Sequence, residues 1–121
     1  MSRALSELFD RALAFGGYTH TRADIAEGVK VGRFHYFGDN KCAVVAEIVE
    51  YPQDRKLNVF LAAGDYKRIM QNILPKLKAF ARDNGCSALT TTARHGFLKR
   101  LPPVGWKPTH TVFELKLEGR E

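Results

Sequence analysis

Apolar residues recur at helical spacing from the start of the chain. Ala4, Leu5, Leu8, Phe9, Ala12 and Leu13 fall on one side of a 3.6-residue repeat, which predicts an amphipathic helix over 3–15. Ser2 can cap it, and Gly16 with Gly17 stops it. Thr21 opens a short second helix. Asp24 follows three residues later, the spacing at which two side chains satisfy each other's backbone N–H in a capping box. Ile25 and Ala26 are expected to face inward, with Gly28 and Gly32 bracketing the exit. Residues 33–37 (RFHYF) then read as a strand in which His35 faces away from the core. Residues 38–41 form a tight turn. Residues 42–51 (CAVVAEIVEY) give a second strand, antiparallel to the first. After a turn at 52–54, residues 56–62 (KLNVFLA) give a third. Leu57, Val59 and Leu61 mark one face and Phe60 and Ala62 the other, the pattern of a central strand covered on both sides.

Gly64 and Asp65 open a helical region with an apolar stripe of Ile69, Met70, Ile73, Leu74, Leu77, Phe80 and Ala81. Pro75 sits inside it, at a cost of about 3 kcal/mol in an uninterrupted helix. A kink is expected, or two helices with Pro75 in the first turn of the second. Asn84 and Gly85 end the region. Residues 86–92 (CSALTTT) fit a buried strand, and 94–100 a short helix ended by Pro102 and Pro103. Residues 109–117 (THTVFELKL) alternate as a closing strand. The third and fourth strands flank a crossover helix, which favours a right-handed parallel pair. The fold class is therefore α/β (an α+β mixed sheet): a mostly antiparallel sheet containing one parallel pair, with helices on both faces. With no repeat, low-complexity tract or linker, residues 1–121 read as a single domain.

Composition adds exclusions. The chain is 45% hydrophobic and 26% charged, ordinary for a globular protein and unlike a disordered or fibrous one. No apolar run approaches a membrane-spanning length, the N-terminus lacks a signal-peptide layout, and the cytoplasm is the expected compartment. Cys42 and Cys86 read as small apolar residues in strands rather than a disulfide scaffold. His20, His35, His95 and His110 lack metal-ligand spacing, so no metal is expected. Charge is uneven: residues 1–60 are neutral, and residues 61–121 carry the whole net charge of +6. Over 66–107 nine basic residues face one acid, Asp83. Such a segment attracts phosphates, nucleic acid or an acidic protein.

The element order, with ILPKLKAFARDNGCSALTTTA (73–93) and RHGFLKRLPPVGWKPTHTVFELKL (94–117), resembles the GNAT-type N-acyltransferase family. The first stretch is similar to the family's main crossover helix and following strand. The second is similar to its last helix, its turn (here Gly105 and Trp106) and its closing strand. The chain also resembles small, divergent GNAT-like proteins of tailed phages and prophages. The resemblance implies a GNAT-like acyl-CoA N-acyltransferase fold, with acetyl-CoA or CoA lying where two adjacent parallel strands splay apart. It also implies pyrophosphate binding at the start of the crossover helix, through backbone donors and the helix dipole. The corresponding positions are Leu61, Ala63, Gly64, Lys67 and Arg68. The family's arginine- and glycine-rich loop is absent; only Gly64 gives comparable backbone access, and Asp65 is a helix cap that competes for the same N–H groups.

Acyl transfer needs a base for the amine proton and an acid for the thiolate. Residues 57–62 hold no glutamate, which leaves Glu50 and Glu47 on the preceding strand as candidate bases. The family's tyrosine acid corresponds to Phe97, which has no proton to give. Three functions stay open: N-acetyl transfer to an unknown amine, a non-catalytic GNAT-like module binding a host or virion protein, and a basic nucleic-acid-binding domain. A homodimer is compatible with each. Phe80 or Trp106 are the large side chains placed to plug the strand gap.

Overall fold

The capping box written into residues 21–24 is formed. The Asp24 N–H donates to Thr21 Oγ1 at 3.1 Å, and the Thr21 N–H donates to the Asp24 carboxylate at 2.8 Å. It starts α2 (Arg22–Lys30), which follows α1 (Arg3–Phe15). The computed structural model describes residues 3–15, 19–93, 101–102 and 105–117. The chain divides into two units, Met1–Thr91 and Thr92–Glu121.

In the first unit, β1 (His35–Gly38), β2 (Cys42–Tyr51), β3 (Asp54–Gly64) and β4 (Ala88–Thr91) form one sheet in the order β1-β2-β3-β4. The first two pairings are antiparallel and the third is parallel, as the hairpin signals and the crossover helix require. β1 begins two residues later than its aromatic run suggests. The N–H groups of Arg33 and Phe34 donate instead to the Gly28 carbonyl, at 2.8 and 3.0 Å, and so finish α2. Ala26 is exposed, contrary to expectation, because Ile25 and Gly28 make the buried stripe of this short helix. β4 is shorter than predicted and only half-buried.

One layer packs α1 and α2 on the sheet through Phe9, Leu13, Ile25, Phe34, Ala43, Val45, Leu61 and Ala63. The other face carries the crossover segment, whose Ile73, Leu74, Leu77 and Ala81 are buried. Leu57, at 0% exposure, anchors the centre of β3. Burying a side chain of that size contributes about 1.5–3 kcal/mol. His35 does not face away from the core. Its ring lies 4.7 Å from that of Phe80, and Phe37 lies 5.4 Å from the same ring, so alternate residues of β1 meet the crossover helix. Phe80 is thus turned to β1.

Pro75 divides the crossover as its chemistry demands. α3 (Tyr66–Arg68) passes into a π-helical turn over Ile69–Ile73, and α4 (Leu74–Asp83) begins with Pro75 in its first turn. The Leu74 N–H reaches back five residues to the Ile69 carbonyl, widening the turn just before the ring that cannot donate. Asn84 ends α4 by donating its side-chain amide to the Phe80 carbonyl at 2.8 Å, and Gly85 follows at φ +72°.

In the second unit the Gly105 N–H donates to the Pro102 carbonyl and the Trp106 N–H to the Leu101 carbonyl, a turn that Gly105 enters at φ +101°. The predicted closing strand over 109–117 is not formed; residues 106–117 carry neither helix nor strand. Alternation supplies the faces of a strand, but the strand itself needs a hydrogen-bonded neighbour. The predicted helix over 94–100, with His95 and Phe97, lies outside the described residues. Among the described residues no helix is long and apolar enough to cross a membrane.

Candidate functional site

The sheet opens at one end. β3 and β4 pair over four registers, Lys56 with Ala88 through Val59 with Thr91. The last register is closed by the Thr91 hydroxyl, which donates to the Val59 carbonyl at 3.0 Å. β4 stops there, whereas β3 continues through residues 60–64, still paired to β2. On its other side this stretch has no strand partner among the described residues. A bare edge of this kind is a template for another extended chain bearing amides.

A β-bulge marks where the strands part. Val45 opposes Leu61 and Ala46 opposes Val59, which leaves Phe60 unopposed. The extra residue bends β3 and increases its local twist, turning it away from its neighbour. The bulge also corrects the predicted facing of the strand. Val45 and Ala46 lie on opposite faces of β2, so Leu61 lies on the α1–α2 face and Val59 on the other. Phe60 packs against the same core as Leu61, an arrangement no regular strand allows for consecutive residues. Its ring stacks on Phe34 with centroids 5.5 Å apart and planes 6° apart, and the His20 ring meets it edge-on at 4.7 Å.

The predicted ligand-binding positions converge at this end. Leu61 and Ala63 are buried by their side chains in the α1–α2 core, so they offer a ligand only main-chain edge. Gly64 sits at φ +109°, where a Cβ would collide with the Lys41 carbonyl and lie 2.7 Å from Cys42 Cα. Its missing side chain lets β2 and the head of the crossover approach. Asp65 caps α3, its carboxylate accepting the Arg68 N–H at 3.3 Å. The Arg68 Nε donates to Asp39 Oδ2 at 2.5 Å. Asp39 Oδ1 also accepts the N–H groups of Lys41 and Cys42, at 2.8 and 3.1 Å, and the Cys42 thiol at 3.5 Å. The Lys41 N–H and the Arg68 guanidinium hold the Asp39 carboxyl at about 2. Burial, with Asp39 beside it, pushes the Cys42 thiol up. Lys67 is exposed and makes no ion pair among the described residues. Asp39 carried no sequence signal beyond a turn-forming acid.

The two candidate bases are separated. Glu50 is exposed and ion-paired to Arg55, its register partner near the β2–β3 hairpin, at the end of the sheet away from the opening. Glu47 is half-buried opposite Asn58, whose side-chain Oδ1 accepts the Thr90 hydroxyl at 3.1 Å. Glu47, Asn58 and Thr90 thus form a polar row on the α1–α2 face, one register before the strands part.

No protein-family model and no curated protein matches the sequence. Solved structures do match in three dimensions. An aminoglycoside N-acetyltransferase, AAC(6')-Iy, in complex with CoA, superposes with a TM-score of 0.64 at 12% identity, covering 98% of this chain and 91% of that one. A predicted acetyltransferase from Clostridium acetobutylicum, with acetyl-CoA, gives 0.64 at 14% identity, over 93% and 88% of the two chains. An acetyltransferase of Trypanosoma brucei gives 0.57 at 13%, over 93% and 94%. The chain has the GNAT acetyltransferase fold.

Proposed function

We propose that this chain, acting as one domain over residues 1–121, binds an acyl-CoA along the bare edge of β3 and transfers its acyl group to an amine. The observation that carries the reading is the length of β3: it outlasts β4 by five residues, with a bulge at the point of divergence. The pantetheine arm is an extended chain with two amides, matched to residues 60–64 as a short added strand. Lys67 and the main chain at Gly64 lie at the end of that edge, where the cofactor's phosphates would be held. A bound acyl-CoA supplies the activated thioester.

Among this chain's own groups, Glu47 is the base. A carbon–nitrogen bond forms as the carbon–sulfur bond breaks. Glu47 takes the amine proton through water, and the departing thiolate is protonated from solvent. The first test is calorimetric titration with CoA, with thermal melting in parallel. CoA at about 100 times its Kd adds about 2.7 kcal/mol to native stability. No heat and no melting shift at millimolar CoA removes the reading. Release of free thiol from acetyl-CoA, followed with an amine panel, then tests transfer.

One observation favours a second reading, a module of this fold that binds a protein partner without transfer. Two groups expected to meet a pyrophosphate are engaged within the protein, the Arg68 guanidinium by Asp39 and the Arg68 N–H by Asp65. Absence of CoA binding alongside a folded, cooperative protein supports that reading.

A further inference from the structure

Asn58 stands on β3 between two polar neighbours, Glu47 on β2 and Thr90 on β4, and each is its register partner. All three side chains are half-buried. Thr90 Oγ1 donates to Asn58 Oδ1 at 3.1 Å. The oxygen and nitrogen of a planar amide diverge from one carbon, so an oxygen held from the β4 side turns Nδ2 toward β2. The group across the ladder on that side is the Glu47 carboxylate, an acceptor. The reverse orientation would set oxygen against oxygen there. Lys56, the cation on the same face of β3, lies 4.0 Å from Asp54, so its charge is directed to the hairpin rather than to Glu47.

Residues directly opposite each other on neighbouring strands have Cβ atoms about 4.5–5.5 Å apart. Asn58 and Glu47 make no direct hydrogen bond, and neither Asn58 Nδ2 nor the Glu47 carboxylate has another partner among the described residues. Buried side-chain nitrogens and oxygens are all paired among the described residues, so these unpaired atoms are reached by solvent. A donor and an acceptor that face each other, both wetted and not bonded to each other, are the two walls of a site for one water.

We infer that Asn58 is a positioning residue for proton transfer: pinned by Thr90, its Nδ2 holds the water through which Glu47 takes the proton of the acceptor amine. The role rests on the acyl-transfer reading. The water accepts from Asn58 Nδ2 and from the amine N–H, and donates to Glu47. As the carbon–nitrogen bond forms, the amine proton passes to the water and a water proton passes to Glu47. The water is regenerated, the carbon–sulfur bond breaks, and the thiolate takes a proton from solvent while Glu47 returns its own. Asn58 exchanges no proton; it fixes which O–H of the water points to the carboxylate. The row lies one register before the strands part, beside the bare edge proposed for the acyl-CoA.

The test uses the full chain. Side-chain amide NMR without CoA reads the placement, and the thiol-release assay reads the role. The Asn58 Nδ2 resonances should show cross-relaxation from water. They should move on Thr90→Val and on Glu47→Gln, while Glu50→Gln leaves them in place. In the assay Asn58→Ala should lower kcat by about tenfold, the worth of one hydrogen bond in the transition state, with the KM values for acetyl-CoA and amine within about twofold. Thr90→Val keeps the branched shape without the hydroxyl and should lower kcat by about threefold; Thr90→Ser should restore it. Because Thr90 acts through Asn58, the double variant should be no slower than Asn58→Ala alone. Thermal melts check folding, and should Asn58→Ala not fold, the two Thr90 variants carry the kinetic arm.

The inference is overturned if Glu47→Gln leaves the Asn58 amide unmoved, if Asn58→Ala raises KM and spares kcat, or if the losses from Asn58→Ala and Thr90→Val multiply. If the spectra respond as stated but the wild type releases no thiol with any amine, the water site stands and the acyl-transfer reading falls. If the wild type turns over and Asn58→Ala keeps pace with it, only this inference fails.

Discussion

Gly64→Ala tests the junction on which the site depends. Gly64 ends β3, precedes the cap of the crossover and stands at φ +109°. A side chain there is penalised twice. Holding a non-glycine residue in that backbone region costs about 1–3 kcal/mol. The added Cβ would also meet the Lys41 carbonyl and lie 2.7 Å from Cys42 Cα. Both are main-chain atoms of the β2 start, so no side-chain rotation relieves the contact and the strand must shift. Overpacking of this kind costs a further ~1–3 kcal/mol. Alanine recovers about 0.4–1 kcal/mol by restricting the unfolded chain. The net expectation is a loss of about 1–5 kcal/mol, against the ~5–15 kcal/mol typical of a domain. Urea denaturation measures it, and two controls separate the causes. Gly32 stands at φ +81° with nothing within 4 Å of a built Cβ, so Gly32→Ala carries strain alone and loses about 1 kcal/mol. At Gly38 the added atom would lie 2.6 Å from the Cys42 carbonyl oxygen without a positive φ, so Gly38→Ala carries contact alone. Gly64→Ala should exceed both. Should it fall within about 0.5 kcal/mol of Gly32→Ala, the close approach at Cys42 is not what requires this glycine.

Three further outcomes follow from the same structure. Asp39 has its carboxyl at about 2 when folded, below the ~3.9 of an unfolded aspartate, so the stability it contributes is complete above about pH 4 and is lost as pH falls toward 2. The melting temperature of the wild type should fall more steeply across that window than that of Asp39→Asn; parallel curves would refute the Arg68–Asp39 anchor. In the thiol-release assay Glu47→Gln should lower turnover by about 10²-fold or more, while Glu50→Gln, whose charge serves Arg55 at the hairpin, leaves it near wild type; the reverse order would assign the base to Glu50. Leu57→Ala empties the centre of β3 and should cost about 2–5 kcal/mol by urea denaturation, and a loss under 1 kcal/mol would place that side chain outside a packed core.

What the sequence disclosed was local. The capping box at Thr21 and Asp24, the division of the crossover before Pro75 and the stop at Asn84 and Gly85 each depend on a few neighbouring residues, and each forms as read. The parallel pair also followed, because a helix between two strands leaves few other connections. The site was harder to see because its parts are separated along the chain. His20, Phe34 and Phe60 come from a linker, a helix exit and a strand, and no spacing rule joins them. The Asp39–Arg68 pair spans 29 positions.

The bulge at Phe60 shows the limit most clearly. In KLNVFLA both faces of the strand are apolar around residue 60, so a one-residue slip in facing leaves no mark in the hydrophobic pattern. Had residues 61 and 63 been charged, that slip would have driven a charge into the α1–α2 core and the sequence would have forbidden it. The double-sided apolar run is therefore what makes the bulge possible and what hides it. The structural consequence is specific: Leu61 crosses to the face of α1, Phe60 stacks on Phe34, and β3 leaves β4 after Val59. A site built on a departure from regular pairing is invisible to periodicity because it lies where the period fails.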